Sequence, residues 1–328
     1  MLNLFFQEPD EDRWFLFDRY PRRIVRRLLR GKACPGGQAL VFINLCKGLD
    51  RIGVRYRTND FRHALRNPTE LACIVGKPFV LDKIAWKNPI LFGAAVYSHP
   101  IDDPLLMTRL PVRMVLVPGP WMREMFRPAW GENVVAWPVG IDTDLWRPAT
   151  KTPGAAEVLL YDKVRWKHQL YEESLIAPIR SRLKQEGRTV LEMRYGEYRE
   201  EEFHAALRGC KAMIFLCEHE TQGLAYQQAL SCGVPILAWD RGGAWRDPSY
   251  YPHRVDFAPV TSVPYWDARC GGRFADAVEF EAEWTDFWHA ASLSRFDPRS
   301  YILENLTLEQ CASQYASIAV RVAGEMGT

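Results

Sequence analysis

Four short apolar runs recur in the second half of the chain: EVLLYD (157–162), TVLEMRY (189–195), KAMIFLCE (211–218) and VPILAWD (234–240). Each has the length of one strand and is apolar nearly throughout, as in a strand covered on both faces. Between them lie HQLYEESLIAPIRSRLKQEG, YREEEFHAALRGC and GLAYQQALSCG, long enough for helices, and two of these end at a glycine stop. Strand, helix, strand in that rhythm predicts a parallel sheet with right-handed crossovers, a Rossmann-like domain.

The first half repeats the rhythm less clearly. ACIVG (72–76), ILFGAAVY (90–97), VRMVLVPG (112–119) and ENVVAWPVG (132–140) read as strands, and QALVFINLCKGLDRIG as a helix opened by the turn Cys34-Pro35-Gly36-Gly37. A chain of 328 residues then divides into two α/β halves near Arg147-Pro148, followed by KTPGAA of linker composition. The expected domains are 1–147 and 148–305, with a closing helical segment 306–328 for which Thr307 is the N-cap. There are no internal repeats or low-complexity tracts.

Composition excludes several functions. A net charge of +2 gives no strong overall field for polyanions. No apolar run reaches the length of a membrane span. The opening MLNLFFQEPDEDRW lacks the order of a secretory signal, and the 8 cysteines contain no CxxC pair or zinc-finger spacing. Free thiols in a reducing cytoplasm are expected. The segment YPRRIVRRLLRGK (20–32) places Ile24, Val25, Leu28 and Leu29 opposite five arginines at helical spacing. Such a helix either lies on an anionic membrane surface or packs its apolar side on its own domain. Nucleic acid is a poorer partner, since no stacking aromatics interleave with the arginines.

The chemistry sits in CEHETQGLAYQQALSCGVPILAWD (217–240), which runs from a strand end through a turn into a helix beginning near Gly223. Carboxyl ends of parallel strands are where ligands bind, and a helix start there offers free N–H groups to a diphosphate. Glu220, an acceptor-only group just before that helix, suits sugar hydroxyls.

The same segment resembles the E-x7-E signature of retaining GT-B glycosyltransferases, family four in particular. Aligned from Glu220, Gly223 and Leu224 fall on its G-L step, and Ala229, Gly233 and Pro235 on its later A, G and P. The second Glu is replaced by Gln228, which bears on ribose binding more than on catalysis. WPVGIDTDLWRP (137–148) resembles the segment ending the family's first domain, with Trp146 in place of Phe. The resemblance implies two Rossmann-like domains facing a cleft, with a C-terminal helix crossing back to the first.

It also implies roles. Glu220 would orient the donor sugar, and Lys163 and Lys167, with Arg165 between them, would neutralise the donor diphosphate. Gln222, Gly223, Leu224 and Gln228 would line the donor site. Gly36 and Gly37 would close over the phosphates and acceptor, and His99 would serve the acceptor side. The donor is then a nucleotide sugar and the acceptor a glycan or lipid-linked hydroxyl, in polysaccharide synthesis, with neither metal nor cofactor.

Plainer readings stand beside these. Glu218, His219 and Glu220 also read as a solvated turn, Lys163 and Lys167 as a charged turn, Gly36-Gly37 as a bare turn and His99 as structural. Asp142-Thr143-Asp144 imitates a metal-binding D-x-D but reads better as capping. Other functions are a sugar-nucleotide epimerase, a phosphorylase (for which no cofactor lysine is identified) or a non-catalytic nucleotide-sugar-binding protein. A dinucleotide oxidoreductase is disfavoured, because no G-x-G-x-x-G follows the first strand of either half.

Overall fold

The computed structural model describes residues 1–8, 36–149 and 156–324. The basic segment 20–32, Cys34-Pro35 and nearly all of KTPGAA lie outside the described residues. Two sheets, every strand pair parallel, belong to two separate contact units. This is the two-domain α/β architecture expected.

The first unit comprises Met1–Pro118, Phe126–Trp137 and Cys311–Thr328. Its elements begin with β1 (Leu2–Phe6), α1 (Gly37–Arg51), β2 (Tyr56–Thr58), α2 (Phe61–Arg66), β3 (Ala72–Gly76) and β4 (Ile90–Ala95). They continue with α3 (Leu106–Arg109), β5 (Val112–Val117), α4 (Pro120–Trp130), whose first turns fall in the second unit, and β6 (Val134–Ala136). The sheet order is β2-β1-β3-β4-β5-β6. Strands β3 and β4 are buried at every position, as near-continuous apolar runs require. Phe5 of β1 meets Trp86 edge-on at 5.0 Å and Phe61 at 5.1 Å. Trp137, fully buried, donates its indole N–H to Cys311 O (2.9 Å) and packs on Tyr315, 5.0 Å between centroids.

The second unit comprises Gly119–Met125 and Pro138–Gln310. It holds β7 (Val158–Asp162), α5 (His168–Tyr171), α6 (Ala177–Gln185), β8 (Val190–Arg194), α7 (Glu200–Gly209), β9 (Ala212–Leu216), α8 (Leu224–Ser231) and β10 (Ile236–Trp239). A long connection then leads to β11 (Gly271–Phe274), α9 (Ala277–Ser292), α10 (Pro298–Asn305) and α11 (Leu308–Gly324). Helix α11 starts in this unit and continues in the first. The Thr307 hydroxyl accepts the Gln310 N–H at 3.2 Å, as its N-cap role requires.

The sheet order is β11-β10-β9-β7-β8, with Leu160, Ile214, Leu216 and Trp239 in a core closed by Ile176, Ile179, Phe280 and Trp284. One expectation is corrected here. TVLEMRY reads as a buried strand, yet β8 is an edge strand with Leu191 39% exposed. Its Glu192 faces out to Arg180, which explains the carboxylate inside an otherwise apolar run.

Candidate functional site

Strand order in the second unit reverses at β7. Strand β8 lies on one side and β9 on the other, so the chain ends of β7 and β9 stand side by side at a switch point. The chain leaves β7 through Lys163, Val164, Arg165 and Trp166, and leaves β9 through Cys217, Glu218, His219 and Glu220.

The three polar residues after β9 are not a solvated turn. Glu218, His219 and Glu220 are 3%, 3% and 7% exposed, and each holds a different part of the facing segment. Glu218 Oε1 accepts the backbone N–H groups of Arg165 (2.9 Å) and Trp166 (2.8 Å). Glu220 pairs through its carboxylate with the Lys163 ammonium. Its backbone is fixed as well: the N–H donates to Thr261 O (3.0 Å) and the carbonyl accepts the Trp121 indole N–H (2.7 Å). Burial alone would lower the Lys163 ammonium, but the Glu220 carboxylate outweighs it and holds Lys163 above the usual lysine range. Lys163 also stands 4.5 Å over the Tyr195 ring.

His219 is a hub. Its Nε2 accepts the Trp245 indole N–H (3.0 Å) and a guanidinium N–H of Arg165 (3.1 Å), and its ring stacks on Trp166 at 5.3 Å. Trp121 meets the ring edge-on at 5.5 Å. Burial pushes the imidazole down to about 2, with Arg165, Arg241 and Lys163 adding to the effect. A neutral ring that accepts at Nε2 carries its proton at Nδ1. That Nδ1 is buried without a hydrogen-bond partner, as are Glu218 Oε2 and Arg241 Nε.

Lys167, unlike Lys163, is exposed, has no ion-pair partner among the described residues, and sits in a left-handed conformation (φ 51°) before α5. Arg165 lies 4.4 Å over Trp166 and is fixed by His219.

Gly223 begins α8 with φ 82°, and a Cβ there would stand 1.9 Å from Tyr226 Cε1. Only glycine fits. Tyr226 cannot yield, since its hydroxyl donates to Tyr265 O and accepts the Tyr265 N–H, both at 3.1 Å. Leu224 and Gln228 are half-buried, and the Gln228 amide makes no hydrogen bond among the described residues. The Gln222 amide is satisfied within the chain. Its oxygen accepts the Val139 N–H (3.1 Å) and its nitrogen donates to Gln227 (3.2 Å), so it braces the loop.

His99 belongs to the first unit, where its Nδ1 accepts the Ile101 N–H (3.0 Å) and caps the short 3-10 turn Pro100–Asp102. Gly36 caps α1 and Gly37 opens it; both are exposed, and a Cβ at either would meet nothing within 4 Å. Asp142 Oδ1 faces the Leu145 N–H at 3.4 Å, a capped turn. No group of three or more His, Cys, Asp or Glu among the described residues is arranged to hold a metal ion. No helix among them is long and apolar enough to cross a membrane.

Sequence reasoning missed Glu218 and His219 as working parts, and the tryptophans around them. The available signal was position: charged side chains directly after a fully apolar strand either face solvent or are held, and the partners that hold them lie 50 and more residues away.

No protein-family model matches the chain, and no curated protein matches it by sequence. Solved structures do. Sucrose-phosphate synthase from Thermosynechococcus elongatus superposes with a TM-score of 0.55 at 12% identity, over 90% of this chain and 82% of that one. WaaG, a glycosyltransferase involved in lipopolysaccharide biosynthesis, gives 0.51 at 10% identity over 97% and 99%. The N-terminal domain of trehalose-6-phosphate phosphatase from Candida albicans gives 0.50 at 12% identity over 92% and 80%. At such identities the likeness is one of fold, and the fold hosts more than one named activity. What the sheets, their order and these likenesses establish together is that the chain has the GT-B fold of glycosyltransferases.

Proposed function

We propose that the chain is a glycosyltransferase that takes a sugar from a nucleotide-sugar donor bound in the second unit and passes it to a hydroxyl acceptor with retention. The observation that carries this reading is the buried Lys163–Glu220 pair at the adjoining carboxyl ends of β7 and β9. A carboxylate held there by a neighbouring ammonium is a fixed acceptor for sugar hydroxyls. The ammonium is a fixed positive charge for an anionic leaving group.

The step breaks the bond between the anomeric carbon and the β-phosphate oxygen and forms one to the acceptor oxygen on the same face of the sugar. The acceptor proton passes to a phosphate oxygen of the departing nucleoside diphosphate. Nothing in this balance calls for a protein base, a metal or a redox partner. The chain's part is to orient the sugar through Glu220, to stabilise the growing diphosphate charge through Lys163, and to present the start of α8, shaped by Gly223, to the ligand. Gln228, on α8 and with no side-chain hydrogen bond among the described residues, would accept from and donate to ribose hydroxyls. A glycan or lipid-linked acceptor fits this chemistry.

The test is donor turnover. Purified protein with a panel of nucleotide sugars and glycan acceptors should release nucleoside diphosphate. Glu220→Gln, which keeps the side chain's shape, should cut the rate by about 10²–10³ while the fold melts normally. Wild-type turnover by Glu220→Gln removes the site, and binding without turnover by the wild type removes the enzyme.

A further inference from the structure

A departing diphosphate carries more charge than Lys163 can meet, because that ammonium is already committed to Glu220. A second cation is needed, and two stand close by in sequence. Lys167 is exposed and unpaired among the described residues, on a flexible stem whose freedom is lost on binding. Arg165 is held in three ways. Its backbone N–H is fixed by Glu218 (2.9 Å), its guanidinium lies 4.4 Å over Trp166, and one nitrogen of that group donates to both the Nε2 and the carbonyl of His219, each at 3.1 Å. A guanidinium has five N–H donors, and its Nε stands 3.9 Å from Glu218 Oε2, too far for a hydrogen bond. The group is therefore fixed in place with donors to spare, and it is exposed enough to be reached.

We infer that Arg165, rather than Lys167, supplies the second positive charge to the diphosphate, and that His219 is the positioning residue that holds Arg165 ready. The orientation of the imidazole supports this. His219 turns its one acceptor nitrogen toward Arg165 and Trp245 while its Nδ1–H stays buried without a partner. A ring kept only for packing would settle with that N–H bonded. Trp245 stands at the start of the long connection after β10, so the same nitrogen ties that connection to the Arg165 segment. The inference rests on the nucleotide-sugar reading, since it concerns the group that binds the leaving diphosphate.

The experiment is calorimetric binding of UDP, GDP and inorganic pyrophosphate to the full chain and four variants, each first checked for a cooperative melt. Arg165→Gln should weaken binding of whichever probe the wild type accepts by about tenfold, the worth of one charge-assisted hydrogen bond. Lys167→Gln should stay within about twofold. His219→Phe keeps the stacked ring but has no acceptor, and it should match Arg165→Gln. His219→Gln returns an acceptor oxygen near the Nε2 position and should recover most of the affinity, a rescue that a packing role would not give. Equal losses in Arg165→Gln and Lys167→Gln, or full affinity in His219→Phe, overturn the inference and leave the function standing. A wild type that binds none of the three probes overturns the function itself.

Discussion

His219 has a consequence that can be measured without any ligand. Its folded-state imidazole stays neutral down to about 2, while in the unfolded chain it titrates near its ordinary 6.5. Between those values the unfolded chain binds a proton that the native protein cannot, so the native state loses stability as pH falls below 6.5. The contribution is fully present above that pH, and by pH 5 about 2 kcal/mol of it should be gone. Urea melts of the wild type and of His219→Gln at pH 7 and pH 5 should show the wild type losing that much more than the variant. Equal losses in the two proteins would mean that the ring is protonated in the fold, and that its Nε2 cannot be an acceptor. Glu218 and Glu220 work differently. Both are buried carboxylates whose partners lie on the segment after β7, so they hold that segment in place.

At the level of elements, the turn into α8 is the most constrained piece of backbone in the site. Gly223→Ala places a methyl group 1.9 Å from Tyr226 Cε1 at φ 82°, and Tyr226 is pinned by two hydrogen bonds to Tyr265. The substitution should destabilise the protein by about 2–5 kcal/mol, read as a lower urea midpoint. A neutral result would mean that α8 begins elsewhere. This glycine was legible in the sequence because a turn between an apolar strand and a helix has few other solutions. The strands β3, β4, β5, β7, β9 and β10 were legible for a related reason: burial on both faces makes them apolar runs with sharp ends. Strands β1, β2 and β11 were not. β2 is three residues long and half exposed, and β11 opens Gly271-Gly272, where glycine is needed because a Cβ on Gly271 would stand 2.0 Å from Ile236 O. Helix α9 drew no expectation, although Phe280, Trp284, Phe287 and Trp288 recur along it at the i, i+4, i+7, i+8 spacing of one helix face. The site divides in the same way. Glu220, Lys163 and Gly223 carry a local signature, whereas the bonds of Glu218 and His219 to Arg165 span 53 and 54 residues, and no local pattern announces them.

For the whole molecule, the consequence is where a ligand should leave its mark. Lys163, Arg165, Glu218, His219, Glu220, Gly223 and Gln228 all belong to the second contact unit. All but Gln228, on α8, sit on the connections after β7 and after β9, and Trp245 ties these to the connection after β10. Such connections are held by a few side-chain bonds rather than by a ladder, so their amides open more readily than those of the strands they follow. A nucleoside diphosphate bound to this site adds bonds there and raises the energy of local opening in proportion to its occupancy. Hydrogen exchange with and without saturating UDP or GDP should therefore show slowed exchange in peptides covering 163–168 and 217–228. Strands β3 to β5 of the first unit, already buried and bonded, should change little. Arg165→Gln should reduce the protection at 163–168 more than at 217–228, because on the proposed reading the start of α8 would keep its own contacts to the nucleotide. Protection confined to the first unit, with these two segments unchanged in a protein that demonstrably binds the nucleotide, would move the donor site out of the second sheet altogether and take the role of Glu220 with it.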